Sequence, residues 1–236
     1  MFSFLVNGAA ILIGTIVGLV FRKYIKKEIC DAVMKAVGLV VFVIGMIGLI
    51  ENMVSVNADG TISTTGTLAL IICVSLGTII GEFIDIDKQF NRFAHLLEVK
   101  FNKGKLSEGF VTSTLLFCIG SMAIIGSFES ALGKPDTIYL KSLLDGISSI
   151  ALAATLGFGV GLSALSVIIY QGLLTLLFFI FKDFMPGDFI TLFNTVGYVL
   201  IAALGLNFLV KEKIKVANML PALIIVIPYY LIMTLF

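Results

Sequence analysis

Long apolar runs, broken by short charged stretches, fill most of this chain. A helix needs about 20 mostly apolar residues to cross a bilayer. Runs of that kind lie at 4–21, 36–51, 66–84, 109–128, 189–210 and 217–235. The region 142–181 is harder to divide, because no charged residue falls between Asp145 and Lys182. One helix there would reach roughly 55 Å, against a hydrocarbon core of about 30 Å. The chain must therefore reverse. Gly157-Phe158-Gly159-Val160-Gly161 is the natural place, since glycine tolerates the backbone angles of a tight turn. Segments 142–156 and 162–181 then bring the expected spans to eight. A re-entrant half-helix near Asp145 stays open as an alternative.

Loop charges test this count, because Lys and Arg collect on the cytoplasmic side of a membrane. Arg22, Lys23, Lys26 and Lys27 follow the first span. Lys88, Arg92, Lys100, Lys103 and Lys105 follow the third, and Lys211, Lys213 and Lys215 follow the seventh. The alternate loops carry little: no basic residue in 52–65, then Lys134, Lys141 and Lys182. Eight spans place every basic loop on one face and both termini outside. Seven would put Lys211, Lys213 and Lys215 on the wrong face. Between spans three and four, Ile86, Phe90, Phe93, Ala94, Leu97 and Phe101 recur at helical spacing among charged neighbours. This pattern predicts an amphipathic helix over 88–107, lying on the cytoplasmic interface.

Composition agrees. The chain is 59% hydrophobic and 13% charged, whereas soluble domains run at about 45–50% and 25%. A soluble exterior could not hide so much apolar surface. The lipid bilayer is therefore the first expected partner. A net charge of +1 argues against nucleic acid as a partner. There is no Trp, so interfacial aromatic anchors must come from the six Tyr and from Phe. Cys30, Cys73 and Cys118 are far apart, show no metal or redox spacing, and read as small buried hydrophobes. The N-terminal run lacks a basic segment before it and reads as a retained first span.

The two ends of the chain resemble each other. Span one, its charged hairpin and AVGLVVFVIGMIGLIE parallel span six, its hairpin and TVGYVLIAALGLNFLV. Val37-Gly38 matches Val196-Gly197, and Gly48 falls at the place of Asn207. Spans one to three start outside and spans six to eight start inside, so such a repeat is inverted, as in many secondary transporters. The expected architecture is thus one all-α polytopic membrane domain over 1–236. It comprises a first repeat (1–87), the cytoplasmic amphipathic helix (88–107), a central helix pair (108–158) and a second repeat (160–236).

Polar side chains inside spans are costly and mark protein interiors or water-filled paths. The central pair is richest in them. Span four carries Thr112, Ser113, Thr114, Gly120, Ser121, Gly126, Ser127 and Glu129; span five carries Lys141, Ser142, Asp145, Gly146, Ser148, Ser149 and Thr155. Hydroxyls there serve either tight packing, bonded to the preceding turn, or a ligand. Asp145 is either an inward-facing functional carboxylate or the partner of Lys141, one turn earlier, at the outer interface. Gly146 beside it would permit local unwinding. Glu51, Glu82 and Glu129 end their spans and read as solvated edges. His95 reads as a solvated residue of the interfacial helix. Asn7, Gln171, Asn207 and Asn218 are amides within or at the ends of spans, able to join helices or to coordinate a polar solute. Pro221 and Pro228 should kink span eight. No zinc-protease helix and no Walker loop is present, so neither enzymatic activity with catalytic residues nor a cofactor is expected.

The blocks LLFCIGSMAIIGSFESAL, YLKSLLDGISSIALAATLGFGVGLSA, YQGLLTL, GLNFL and KVANMLPAL, with the N-terminal NGAAILIGTIVG, resemble the YqgA-like family of bacterial inner-membrane proteins. The likeness covers nearly the whole chain. It implies an inner-membrane, multi-pass protein of a family without assigned function, sometimes grouped with transporters, and carries over no site residues. The residues themselves suggest a secondary transporter of a small polar solute, with protons or a cation as the candidate coupling ion. Asp145 would bind the coupling ion, and Ser121, Ser148, Ser149, Gln171 and Asn207 the solute. A channel, or a membrane scaffold or regulator without transport, is the alternative. Assembly with further copies of the chain stays open.

The topology is directly testable. Single cysteines placed at Asp59, Asp136 and Asp188 should react with an impermeant thiol reagent added outside. Those at Lys27, Lys103 and Lys213 should not. Outside labelling at Lys213 would require an even number of crossings before it and would overturn the eight-span arrangement.

Overall fold

The computed structural model describes residues 2–24, 27–57, 59–89, 92, 105–118 and 121–235. Helices dominate: α1 (Ser3–Val20), α2 (Lys27–Met53), α3 (Thr67–Ile84), α4 (Lys105–Cys118), α5 (Ser121–Ala131), α6 (Asp136–Leu156), α7 (Gly159–Phe181), α8 (Gly187–Asn207), α9 (Val216–Met219) and α10 (Pro221–Leu235). A short antiparallel hairpin, β1 (Val54–Val56) with β2 (Ile62–Thr64), joins α2 to α3, with Val54 opposite Thr64. The amphipathic helix expected over 88–107, His95 included, lies almost entirely outside the described residues.

Among the described residues seven helices are long and apolar enough to cross a membrane, or eight if one bent pair counts as a span. The bent pair is where the sequence predicted an unbroken span over 109–128. The segments Gly109–Cys118 and Met122–Ala131 meet at 60°. The break falls between Cys118 and Met122. α6, where a re-entrant half-helix was the alternative, runs unbroken through Asp145 and Gly146 for 21 residues. The reversal expected after residue 156 is present. Gly157 adopts φ 82°, a left-handed conformation open to glycine, and α7 starts two residues later. At the other end Pro221 opens α10, where its missing N–H costs nothing, and Pro228 lies within that helix.

The helices group into two compact units, each drawing on both halves of the chain: 1–37 with 88–183, and 38–87 with 184–236. In the first unit α1 lies against α6 and α7. Gly14 and Gly18, four residues apart, form the contact, since a Cβ on either would overlap carbonyl oxygens of α6, those of Gly146 and Ile150. Small residues at this spacing let helix backbones approach in lipid, where packing must replace the hydrophobic effect. Gly146 therefore serves close approach and does not unwind its helix. Ile11, Phe117, Ala153, Val160, Ala164 and Val167 fill the core beside it, and Phe128 packs edge-on against Phe178 at 5.2 Å between ring centres.

The second unit repeats the device. Gly45 of α2 abuts Ala202 of α8. Gly77 and Gly81 of α3 lie against Ala222 and the carbonyl oxygen of Asn218. Just beyond α3, Asp85 takes a left-handed conformation (φ 53°), which Asp tolerates better than most residues. The Asp87 amide then donates to Asn218 Oδ1 at 2.7 Å. Lys215 lies 3.2 Å from Glu82 and 3.8 Å from Asp85, and the Glu82 carboxylate beside it holds the Lys215 ammonium above its usual pKa. The solvated edge expected at Glu82 is present, since its side chain is half exposed.

This packing predicts a contrast between glycines. Gly81→Ala drives a methyl into the backbone of Asn218 and should destabilise the protein by about 1–3 kcal/mol, as overpacking does. Gly187→Ala, which meets open space, should leave the melting temperature in detergent unchanged. Equal melting temperatures for the two variants would contradict the close approach of α3 to α9.

Candidate functional site

The strongest polar cluster of the first unit forms where α1, α6 and α7 meet. Thr137, Lys141, Asp145 and Ser149 recur every fourth residue, so they share one face of α6, and all four are buried. At about 1.5 Å per residue, Asp145 lies about 14 Å along a helix that begins at Asp136. That is close to the midpoint of α6, whose 21 residues rise about 30 Å.

Lys141 Nζ donates to Asp145 Oδ2 at 2.6 Å, and the two side chains are only 8% and 9% exposed. The two sequence-based alternatives for Asp145 therefore merge: the pair with Lys141 exists, and it is buried, not at an exposed interface. Asn7 Nδ2 donates to the same oxygen at 2.8 Å and to Gln171 Oε1 at 3.2 Å. Both amides are fully buried. The carboxylate dictates this arrangement. Asn7 must turn its NH2 toward Asp145, so Gln171 must turn its oxygen toward Asn7. Two polar atoms are left over, Asn7 Oδ1 and Gln171 Nε2, and neither has a hydrogen-bond partner. One turn further along α7, the buried Thr175 hydroxyl also lacks one. Unsatisfied groups of this kind cost about 1–3 kcal/mol each and ask for an explanation.

Closer to the start of α6, Glu129 is 1% exposed and accepts a 2.5 Å hydrogen bond from Thr137 Oγ1. This corrects the solvated edge expected from its terminal position. Gly133, with φ 85°, and Pro135 turn the chain so that the end of α5 and the start of α6 fold onto each other, enclosing Glu129. Ser3 and Ser130 share a 2.6 Å hydrogen bond on the same side.

The residues expected to contact a solute separate. Gln171 belongs to the cluster. Ser149 is buried on the face of α6 that carries Asp145, but its hydroxyl donates 2.7 Å back to the Gly146 carbonyl, the packing role open to any hydroxyl in a helix. Ser148 is half-buried. Ser121 opens α5, and its side chain lies outside the described residues. Asn207 belongs to the second unit. Its amide donates to the Ile214 carbonyl at 2.7 Å and accepts from the Ile214 N–H at 2.8 Å, which closes the loop after α8. Asn7 and Lys141 complete the cluster, the first offered by the sequence as a helix-joining or solute-coordinating amide and the second as the partner of Asp145. The legible signal was Asn7, an amide in an otherwise apolar run. Among the described residues no group of three or more His, Cys, Asp or Glu side chains could hold a metal ion.

Burial makes the pair a stability element with a clear signature. Lys141→Met strands the Asp145 charge and should cost about 3–5 kcal/mol, while Lys141→Met combined with Asp145→Leu should recover most of the loss. Unfolding in detergent micelles measures both. A cost for the single variant near the 1 kcal/mol or less of an exposed pair would show that water reaches the site.

The family model described as "Protein of unknown function (DUF554)" matches residues 2–231. The chain is 34% identical over 226 residues to the "Uncharacterized membrane protein YdfK" of Bacillus subtilis (strain 168), covering 95% of this chain and 93% of that one. It is 23% identical over 231 residues to the "Uncharacterized protein YqgA" of Escherichia coli (strain K12), covering 94% and 93%. No solved structure matches it. With a family model spanning nearly its whole length and a membrane protein among its relatives, this multi-pass helical membrane protein belongs to the DUF554 family.

Proposed function

We propose that the protein is a secondary transporter of a small polar solute, coupled to protons or another cation, in the cytoplasmic membrane with both termini outside. The observation that carries this reading is the Lys141–Asp145–Asn7–Gln171 cluster, buried about halfway along α6 with unsatisfied amide atoms. A carboxylate in that position is expensive to hold and marks an ion or solute path more often than a structural support. Asp145 is the coupling residue, and Gln171 with its neighbours meets the solute.

The inverted repeat of spans one to three with six to eight is part of the proposal. It is supported by the grouping of helices, since each unit takes elements from both halves of the chain. Within the second unit, helices assigned to opposite halves meet at small residues, Gly45 with Ala202 and Gly77 with Ala222. The bent α4–α5 pair also suits the reading, because broken helices in transporters line a cavity.

The test is reconstitution into vesicles that hold a trapped pH indicator, with an imposed pH gradient. Amino acids, organic acids, sugars and nucleosides are added as separate pools. At least one pool should move protons with it. Asp145→Asn should abolish that gradient-driven flux while solute exchange persists. Full coupled flux in Asp145→Asn would remove Asp145 from the mechanism, and no flux with any pool, under proton or sodium gradients, would refute transport.

A further inference from the structure

The second unit holds a cavity of about 440 Å³, the size of a small-molecule site, with polar groups in its wall. Four helix ends enclose it. They are the last turn of α2 at Asn52, the approach to α3 at Thr65 and Gly66, the first turn of α8 at Asp188, and the last turn of α10 at Met233 and Thr234. Helices α2 and α10 turn carbonyl ends toward it, whereas α3 and α8 turn N–H ends. The helix dipoles therefore oppose one another, and side chains decide the sign of the site.

Those side chains are acceptors. Asp188 is exposed, and among the described residues no basic side chain pairs with it or lines the cavity. Asn52 Nδ2 donates to the Gly48 carbonyl at 2.7 Å, which leaves the amide oxygen to accept. Thr191 Oγ1 donates to the Gly187 carbonyl at 3.1 Å and Thr234 Oγ1 to the Leu231 carbonyl at 2.9 Å. Each hydroxyl has thus used its one proton and keeps lone pairs. Tyr229 and Tyr230 add two half-buried rings, the second held edge-on by Phe189 at 5.7 Å between centres. Aromatic faces attract cations.

This set of groups selects its ligand. An anion would meet a carboxylate and no donor that answers it. A metal ion would find a single carboxylate, and among the described residues no group of His, Cys, Asp or Glu could hold one. A neutral polyol would satisfy the acceptors and leave the Asp188 charge unanswered. A primary ammonium matches every feature, with one positive charge, three N–H donors and no acceptor.

We propose that this cavity binds a primary ammonium group carried on a small, partly apolar body. The ammonium pairs with Asp188 and finds its other acceptors among Asn52, Thr191 and Thr234, while the body lies against Ala69, Leu192 and Met233. The site belongs to the second unit and does not rest on the transport reading. In the proposed orientation these helix ends are the outer ones. The ammonium then comes from a free solute outside or from the headgroup of an ethanolamine lipid.

Benzylammonium is the probe, with benzyltrimethylammonium, benzyl alcohol and benzoate as controls at neutral pH and equal ionic strength. The full chain in uncharged detergent is unfolded by heat with a thiol-reactive dye, which reports exposure of Cys73 and Cys118. Benzylammonium should raise the melting temperature saturably. Benzyltrimethylammonium keeps the charge and the ring but has no N–H, and it should bind several-fold more weakly. Benzyl alcohol and benzoate should be weaker still. Asp188→Asn keeps the shape and removes the charge. Because Asp188 is exposed, the empty variant should melt with the wild type, yet it should bind benzylammonium about fivefold or more less tightly. Asp188→Glu should keep the preference for benzylammonium over benzyl alcohol. Thr191→Lys places an ammonium of the chain's own on the same helix face as Asp188 and should abolish binding.

Lipid nanodiscs separate the two sources. Weaker benzylammonium binding in phosphatidylethanolamine than in phosphatidylcholine, in the wild type and not in Asp188→Asn, would identify the lipid headgroup as occupant. Equal binding in both lipids would identify a free amine. Benzyl alcohol or benzyltrimethylammonium matching benzylammonium would overturn the site. Undiminished binding in Asp188→Asn or Thr191→Lys, or no saturable shift in the wild type, would do the same.

Discussion

A charge buried among apolar helices must carry its own compensation, and the first unit is organised around that requirement. Lys141 and Asp145 sit one turn apart on α6 and contact each other at 2.6 Å. The attraction does not by itself make the fold stable, because desolvating both ions costs about as much as their contact returns. What it does is fix everything near it. The Asp145 oxygen orients the Asn7 amide, Asn7 orients Gln171, and this line ties α1 to α6 and α7 beyond the close approach at Gly14 and Gly18.

That close approach is the second constraint. Apolar side chains gain little by leaving lipid for protein, so helices in a membrane associate through fit and through polar contacts. Gly14 and Gly18 in one unit, and Gly77 and Gly81 in the other, remove the side chains that would separate the backbones. Small residues and buried polar groups are therefore not independent features. The glycines bring α1 near enough to α6 for Asn7 to reach a carboxylate that would otherwise lie unpaired beyond Lys141.

Much of the architecture was legible in the chain, because lipid forces simple rules on it. A span must be apolar for its whole length, and the reversal between α6 and α7 could only fall on the glycines after residue 156. The polar importance of Asp145 and Gln171 was equally visible, since a charged or amide group inside such a run is rare enough to stand out. Glu129 was not, because position at a helix end suggests solvent until the turn through Gly133 and Pro135 is known to fold it inward. Asn207 misled in the opposite direction, its amide being engaged by the backbone of its own loop.

Sequence alone thus determined the solvent this protein lives in, the helices that cross it, and the few polar groups that the crossing helices cannot ignore. These follow from local composition, which a bilayer reads one segment at a time. Tertiary structure decided that the span predicted over 109–128 is bent by 60°. It also decided that Lys141 and Asp145 are paired in a buried position, and that Asn7 belongs with Gln171 rather than Asn207. Each of those depends on which helix face meets which. Helices from distant parts of the chain set those faces, through contacts that leave no mark in the periodicity of any single segment.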